Sequence, residues 1–211
     1  MLTSRYKTRF IALTAGPARG LIALRISPDV LTWCGVIGTA LSCAYYLLVQ
    51  RNTLLFCGLV LACGLCDAMD GAVARLSWRT SRWGSYLDAM ADRAGETMIA
   101  LTVAVATGYW LLISALLAGS LLISYAKARA GMEVAISNTE WPDMMERTER
   151  GLIFLAGLAA SALVPRLWRG HDIFWWSLVG LVAAVYATLL QRIARARRLI
   201  RTRASGMHDA G

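Results

Sequence analysis

Apolar residues run along this chain in six long stretches separated by short polar breaks. The stretches cover roughly 29–50, 53–75, 84–107, 109–130, 149–167 and 173–195. Each is close to the ~20 residues that a helix needs to cross a hydrocarbon core of about 30 Å. The pattern therefore predicts an all-α membrane protein with six transmembrane helices, together forming one domain over 28–198. Residues 1–27 read differently. Arg5, Lys7, Arg9, Arg19 and Arg25 interleave with Phe10, Ile11, Leu13, Leu21, Ile22 and Leu24, the mixture expected of an amphipathic helix lying at a membrane surface. Ser27-Pro28-Asp29 ends that segment and opens the first span, because proline is tolerated in a first helical turn. The basic segment 199–211 is expected to be a disordered tail.

Composition supports this picture. The 211 residues are 57% hydrophobic, above the ~45–50% of soluble domains. The formal net charge of +9 suits nucleic acid or anionic lipid alike. The apolar runs favour lipid, and no stretch interleaves basic and aromatic residues as a base-stacking surface would, so no nucleic-acid partner is expected. The cations also fix a topology. With six spans, both termini share a side with Arg79, Arg82, Lys127, Arg129, Arg147, Arg150 and the tail from Arg192 to Arg203. The other side holds Arg51, Arg166 and Arg169. Both termini are thus expected in the cytoplasm, in a multi-pass cell membrane protein. No cleavable signal peptide is expected, because Arg19 and Arg25 break the first apolar stretch. Cys63 and Cys66 form a CxxC, but there is no second pair, and His171 and His208 are distant in sequence. These cysteines read as small packed hydrophobes.

Spans two and three carry what a lipid-facing helix should not: Asp67, Asp70, Asp88, Asp92, Arg93 and Glu96. An ionised group at a bilayer centre costs at least ~2.5–3.5 kcal/mol. These groups must therefore face a wet cavity, pair with one another, or bind ions. Asp67 and Asp70 are spaced i, i+3 and Asp88 and Asp92 i, i+4, so each pair shares a helix face. Two consecutive helices then bring four carboxylates into one small volume, where like charges repel. A divalent cation would neutralise them, and oxygen ligands select Mg²⁺, Mn²⁺ or Ca²⁺. Gly71 and Gly84 flank the acids and permit close approach of a ligand, Ala74 keeps that face open, and Arg75 supplies a cation suited to phosphate oxygens. This combination is chemistry for a pyrophosphate.

Asp67-x2-Asp70-Gly71-x2-Ala74-Arg75-x8-Gly84-x3-Asp88-x3-Asp92 resembles, with nothing missing or respaced, the signature of the CDP-alcohol phosphatidyltransferases. That resemblance implies transfer of a phosphatidyl group from a CDP-lipid to an alcohol with release of CMP. It implies that Asp67, Asp70, Asp88 and Asp92 hold Mg²⁺ or Mn²⁺, that Asp92 is also the general base, and that Gly71, Ala74, Arg75 and Gly84 line the CDP pocket. It implies a homodimer as well. Asp29 either touches the nucleotide or serves only as a helix N-terminal acid. A cation channel or transporter could also use four intramembrane acids, but would give no reason for Arg75 and two glycines at this spacing.

Three further stretches resemble the subgroup of phosphatidylinositol phosphate synthases of bacteria and their archaeal counterparts. They are Ile26–Thr32; Tyr125–Ala130 followed by Glu146–Arg150; and Leu190–Ile193. This resemblance implies that Lys127, Arg129, Arg147, Arg150 and Arg192 bind the phosphate of a soluble phosphorylated alcohol, inositol phosphate foremost and glycerol 3-phosphate as the alternative. Gly131, Thr148 and the acidic loop 132–145 depart from the subgroup's pattern. The same cations could instead anchor the protein to anionic lipid, at about 1 kcal/mol each.

Overall fold

A computed structural model describes residues 16–78, 80–134, 147–164 and 168–208, with side chains described as far as 202. Residues 1–15 of the N-terminal segment, Arg79, most of the acidic loop with Glu146, Arg166 and the last three residues lie outside the described set. Among the described residues the fold is all-α, apart from one isolated bridge between Trp168 and His171. A short helix α1 covers 16–23. It is followed by α2 (Pro28–Leu48), α3 (Thr53–Leu76), α4 (Arg82–Thr107), α5 (Trp110–Glu133), α6 (Arg147–Leu163) and α7 (Ile173–His208).

Four of these helices, α2, α3, α5 and the Ile173–Thr202 part of α7, are long and apolar enough to cross a membrane. The charges Arg82, Asp88, Asp92, Arg93 and Glu96 keep α4 out of that group. With 17 residues, α6 is the shortest of the six long helices. It stops ahead of Pro165, where a proline disfavours helix in the residue before it, and so falls short of the expected end at 167. Conversely, α7 runs to His208, so 199–208 is helix where a disordered tail is expected. The run from Arg192 to Arg203 is rich in Arg, with Ala194, Ala196 and Leu199 and no glycine or proline, and such residues propagate a helix. Large apolar side chains such as Leu48, Leu65 and Leu111 stand exposed, a surface suited to hydrocarbon rather than water.

The chain divides into two compact units, Met1–Thr102 and Val103–Gly211. In the first, α2 packs closely along α3. Gly38 makes this possible: a Cβ there would lie 2.9 Å from the Cys63 sulfur. Further along the pair, Tyr46 stacks on Phe56 at 4.6 Å. Ala18, Leu31, Ala72 and Val73 form a buried cluster, with Leu21, Ile22 and Ile26 against it. The i, i+3, i+4 side of α1 is thereby turned onto α2 and α3, with Arg19 exposed. Ser27 caps α2 through Val30 N–H, with Pro28 in the first turn as expected.

In the second unit, Phe174, Leu178, Leu181, Val185 and Thr188 form a buried stripe along α7. A Cβ on Gly119 of α5 would lie 2.4 Å from Val185, so glycine is what lets these two helices meet. Phe154 of α6 meets Phe174 edge-on at 5.2 Å. Asp172 ties three helices together at one end. It accepts bonds from the Tyr109 hydroxyl (3.1 Å), the Ser161 hydroxyl (2.5 Å) and Trp175 N–H (2.9 Å), the last capping α7.

Candidate functional site

The carboxylates meet in the first unit. Asp67 and Asp70 leave the second half of α3, and Asp88 leaves the first half of α4. One oxygen from each lies within 4.8 Å of the others. Their surroundings differ: Asp70 is buried, Asp67 half-buried and Asp88 exposed. While α2 lies tight against α3, α4 brings the Asp88 carboxylate to the two acids of α3. The three acids are gathered closely enough that they would hold a hard divalent ion between them. Three carboxylates without sulfur or nitrogen donors favour Mg²⁺ or Mn²⁺ over zinc. Among the described residues no other group of acids, cysteines or histidines is gathered in this way. The CxxC is not part of it: Cys63 packs beside Gly38 and Cys66 is exposed, both as free thiols.

Asp92 is not in this set. One turn beyond Asp88, it is half-buried, with Arg93 Nη2 4.0 Å from its Oδ2. Arg93 in turn pairs with Glu96 at 2.8 Å. Of the four carboxylates expected to converge, Asp67, Asp70 and Asp88 are the three with oxygens within 4.8 Å of one another. Arg93 and Glu96, unexplained in the sequence, offset each other's charge.

The glycines in the pattern have distinct surroundings. A Cβ on Gly71 would lie 3.2 Å from Nη1 of Arg75 and 3.9 Å from its Cζ and Nη2. The guanidinium, four residues on, is therefore folded back over Gly71, next to Asp70 in the chain. Ala74 is half-buried beside it. A Cβ on Gly84 would lie 3.1 Å from the Ser81 hydroxyl oxygen and 3.6 Å from Oδ1 of Asp29. Ser81 caps α4 by accepting from Gly84 N–H at 2.9 Å. Asp29, in the first turn of α2, thus sits beside the start of α4 and within reach of the same face. The sequence reading passed over one residue here as a site residue. Thr32 of α2 donates to Asp70 Oδ2 across 2.5 Å, and both groups are buried.

The five basic residues assigned to an acceptor all belong to the second unit and are not alike. Arg129 is exposed and engaged with Glu133 of its own helix at 2.7 Å. Lys127 is half-buried and Arg147 exposed. Arg150 and Arg192 are buried, and Arg192 donates through Nη1 to the Ile123 carbonyl.

A family model described as CDP-alcohol phosphatidyltransferase matches residues 25–182. The archaetidylinositol phosphate synthase of Methanothermobacter thermautotrophicus is 31% identical over 176 residues, 81% of this chain and 83% of that protein. The phosphatidylinositol phosphate synthase of Cutibacterium acnes is 30% identical over 199 residues, 88% of this chain and 90% of its own. Mycobacterium tuberculosis phosphatidylinositol phosphate synthase, solved with CDP-DAG bound, superposes with a TM-score of 0.73 at 26% identity, covering 88% of this chain and 94% of that one. The same enzyme has been solved with manganese and citrate, and there the TM-score is 0.74.

Proposed function

Because this chain belongs to the CDP-alcohol phosphatidyltransferase family, we propose that it transfers the phosphatidyl group of a CDP-diacylglycerol-type lipid to the hydroxyl of an inositol phosphate and releases CMP. The observation that carries the reaction is the convergence of Asp67, Asp70 and Asp88, with Arg75 folded back over Gly71 beside Asp70 in the chain. A bound Mg²⁺ or Mn²⁺ would offset the three carboxylates and stabilise the negative charge that gathers on the departing CMP phosphate. Arg75 holds pyrophosphate oxygens, for which its planar fork is suited. Gly71, Ala74 and Gly84 leave room for the nucleotide, and Asp29 lies where it can touch it.

Asp92 acts as the general base. It lies one turn from Asp88 on α4, and a carboxylate beside the metal-holding acids can take a proton from an attacking alcohol. The acceptor hydroxyl gives its proton to Asp92 and its oxygen bonds to the lipid-side phosphorus. The bond from that phosphorus to the CMP oxygen breaks, and its electron pair leaves with CMP. Direct transfer fits, since among the described residues no cysteine or histidine is gathered with the acids.

The acceptor reading rests on the relatives, whose names specify inositol phosphate products, and on the cations of the second unit. Lys127, Arg129, Arg147, Arg150 and Arg192 are the acceptor phosphate ligands in this reading, and the burial of Arg150 and Arg192 argues against plain interfacial anchoring for those two. Residues 28–198 form the transferase domain, with all six long helices spanning the cytoplasmic membrane, both termini and the active site cytoplasmic, and 1–27 lying at the surface. The functional form is a homodimer. An acceptor panel tests the assignment. With labelled CDP-diacylglycerol, purified enzyme should label lipid when given inositol phosphate and fail to do so with glycerol 3-phosphate, inositol or serine. Efficient use of glycerol 3-phosphate alone would shift the assignment to phosphatidylglycerophosphate synthesis.

A further inference from the structure

Thr32 differs from four other helical threonines of this protein. Thr39, Thr97, Thr107 and Thr188 each turn the hydroxyl back to the carbonyl four residues earlier, at 2.7–2.8 Å. At Thr32 that contact, to Pro28 O, is stretched to 3.2 Å, while Asp70 Oδ2 on the neighbouring helix lies at 2.5 Å. A threonine hydroxyl has a single proton to donate. Both neighbours are pure acceptors, so the shorter contact takes it. The side chain has exchanged the usual local bond for a bond across helices.

The exchange falls at a particular carboxylate. Asp70 is the buried member of the three-acid set, and Thr32 is itself only 4% exposed. Water therefore does little to orient the Asp70 oxygens. One O–H bond to Oδ2 restrains the rotation of the carboxylate and leaves its remaining lone pairs for a ligand. Bonds of this kind, from a partner that does not itself touch the metal, orient metal-binding groups in many sites. The close seating of α2 on α3 at Gly38 holds the two groups at this distance.

We propose that Thr32 is a positioning residue whose hydroxyl fixes the Asp70 carboxylate in the orientation that takes a divalent metal together with Asp67 and Asp88. The proposal rests on reading those three acids as the metal-holding set, and its test separates the two. Mn²⁺ binding to the purified, substrate-free full chain is measured from the spin resonance signal of free Mn²⁺. The proteins compared are wild type, Thr32→Val, Thr32→Ser and Asp70→Asn. Valine keeps the shape and removes the donor; serine keeps the donor and removes the methyl group. Loss of such a partner typically costs about 10–100-fold in metal affinity. Thr32→Val should weaken Mn²⁺ binding by that factor, Thr32→Ser should stay within about threefold of wild type, and Asp70→Asn should weaken it at least as much as valine. Turnover of Thr32→Val should recover as Mn²⁺ is raised. If Thr32 only packs the helices, the order reverses: serine is impaired and valine is not, and the proposal fails. It also fails if valine binds Mn²⁺ as wild type does while Asp70→Asn does not. Unchanged binding in Asp70→Asn would instead remove the metal-site reading itself. Should valine not fold, the serine variant together with Thr32→Ala decides: serine must retain affinity and alanine must lose it.

Discussion

Gly71 offers a sharp test of how the site is assembled, because one substitution should move stability and activity in opposite directions. The residue lies inside α3, where glycine costs about 0.5–1 kcal/mol relative to alanine. Gly71→Ala should therefore raise the unfolding temperature slightly, or leave it unchanged. Yet the new Cβ would lie 3.2 Å from Nη1 of Arg75, closer than ordinary contact, so the guanidinium must shift by a few tenths of an ångström. If Arg75 holds the pyrophosphate through charged hydrogen bonds, its removal forfeits about 1.5–3 kcal/mol, or about 10- to 150-fold in kcat/KM. Displacement short of removal should cost about 3- to 10-fold. The assay is CMP release from CDP-diacylglycerol in a double-mutant cycle with Arg75→Ala. If Gly71 acts through Arg75, adding Gly71→Ala to Arg75→Ala should cost nothing further. Full additivity would refute this reasoning and assign Gly71 a direct contact with the substrate. Wild-type activity in the single variant would refute it outright.

Other expectations concern separate residues. Asp92→Asn keeps size but removes basicity; it should lower kcat by about 100-fold or more while Mn²⁺ binding persists, and a near-normal rate would end the general-base assignment. Arg147→Ala, exposed and outside the core, should raise the KM for inositol phosphate by about tenfold and leave that for the CDP-lipid nearly unchanged; equal effects on both would point to membrane anchoring. Arg192→Ala should in addition lower thermal stability, since it strips a buried donor from the Ile123 carbonyl at about 1–3 kcal/mol; an unaltered melting temperature would count against that bond.

The acids were legible because intramembrane charge is expensive, so Asp67, Asp70, Asp88 and Asp92 stand out against any apolar run, and their spacing puts them on helix faces. The six long helices were legible for the same reason in reverse. What stayed hidden depends on contacts between distant residues. Thr32 reads as an unremarkable helical threonine until α2 is laid on α3, 38 positions from Asp70 in sequence. The Asp29–Gly84 neighbourhood is of the same kind. That Asp92 stands outside the three-acid set could not follow from i, i+4 spacing, which gives a shared face but not which side chains converge. Nor does a list of arginines reveal that Arg150 and Arg192 are buried while Arg129 is occupied by Glu133. The length of α7 is hard to see in the sequence because a basic run reads as tail, although arginine propagates helix well.

The central claim is that the three carboxylates of α3 and α4 support phosphatidyl transfer to inositol phosphate. Its most direct test is the stoichiometry of CMP and lipid product from CDP-diacylglycerol and inositol phosphate, in Mg²⁺ and in excess chelator, for wild type and Asp88→Asn. The account predicts one phosphatidylinositol phosphate for each CMP with Mg²⁺, none of either in chelator, and little of either from Asp88→Asn. Sustained turnover in chelator at zero metal content, or CMP released without a matching lipid, would contradict it.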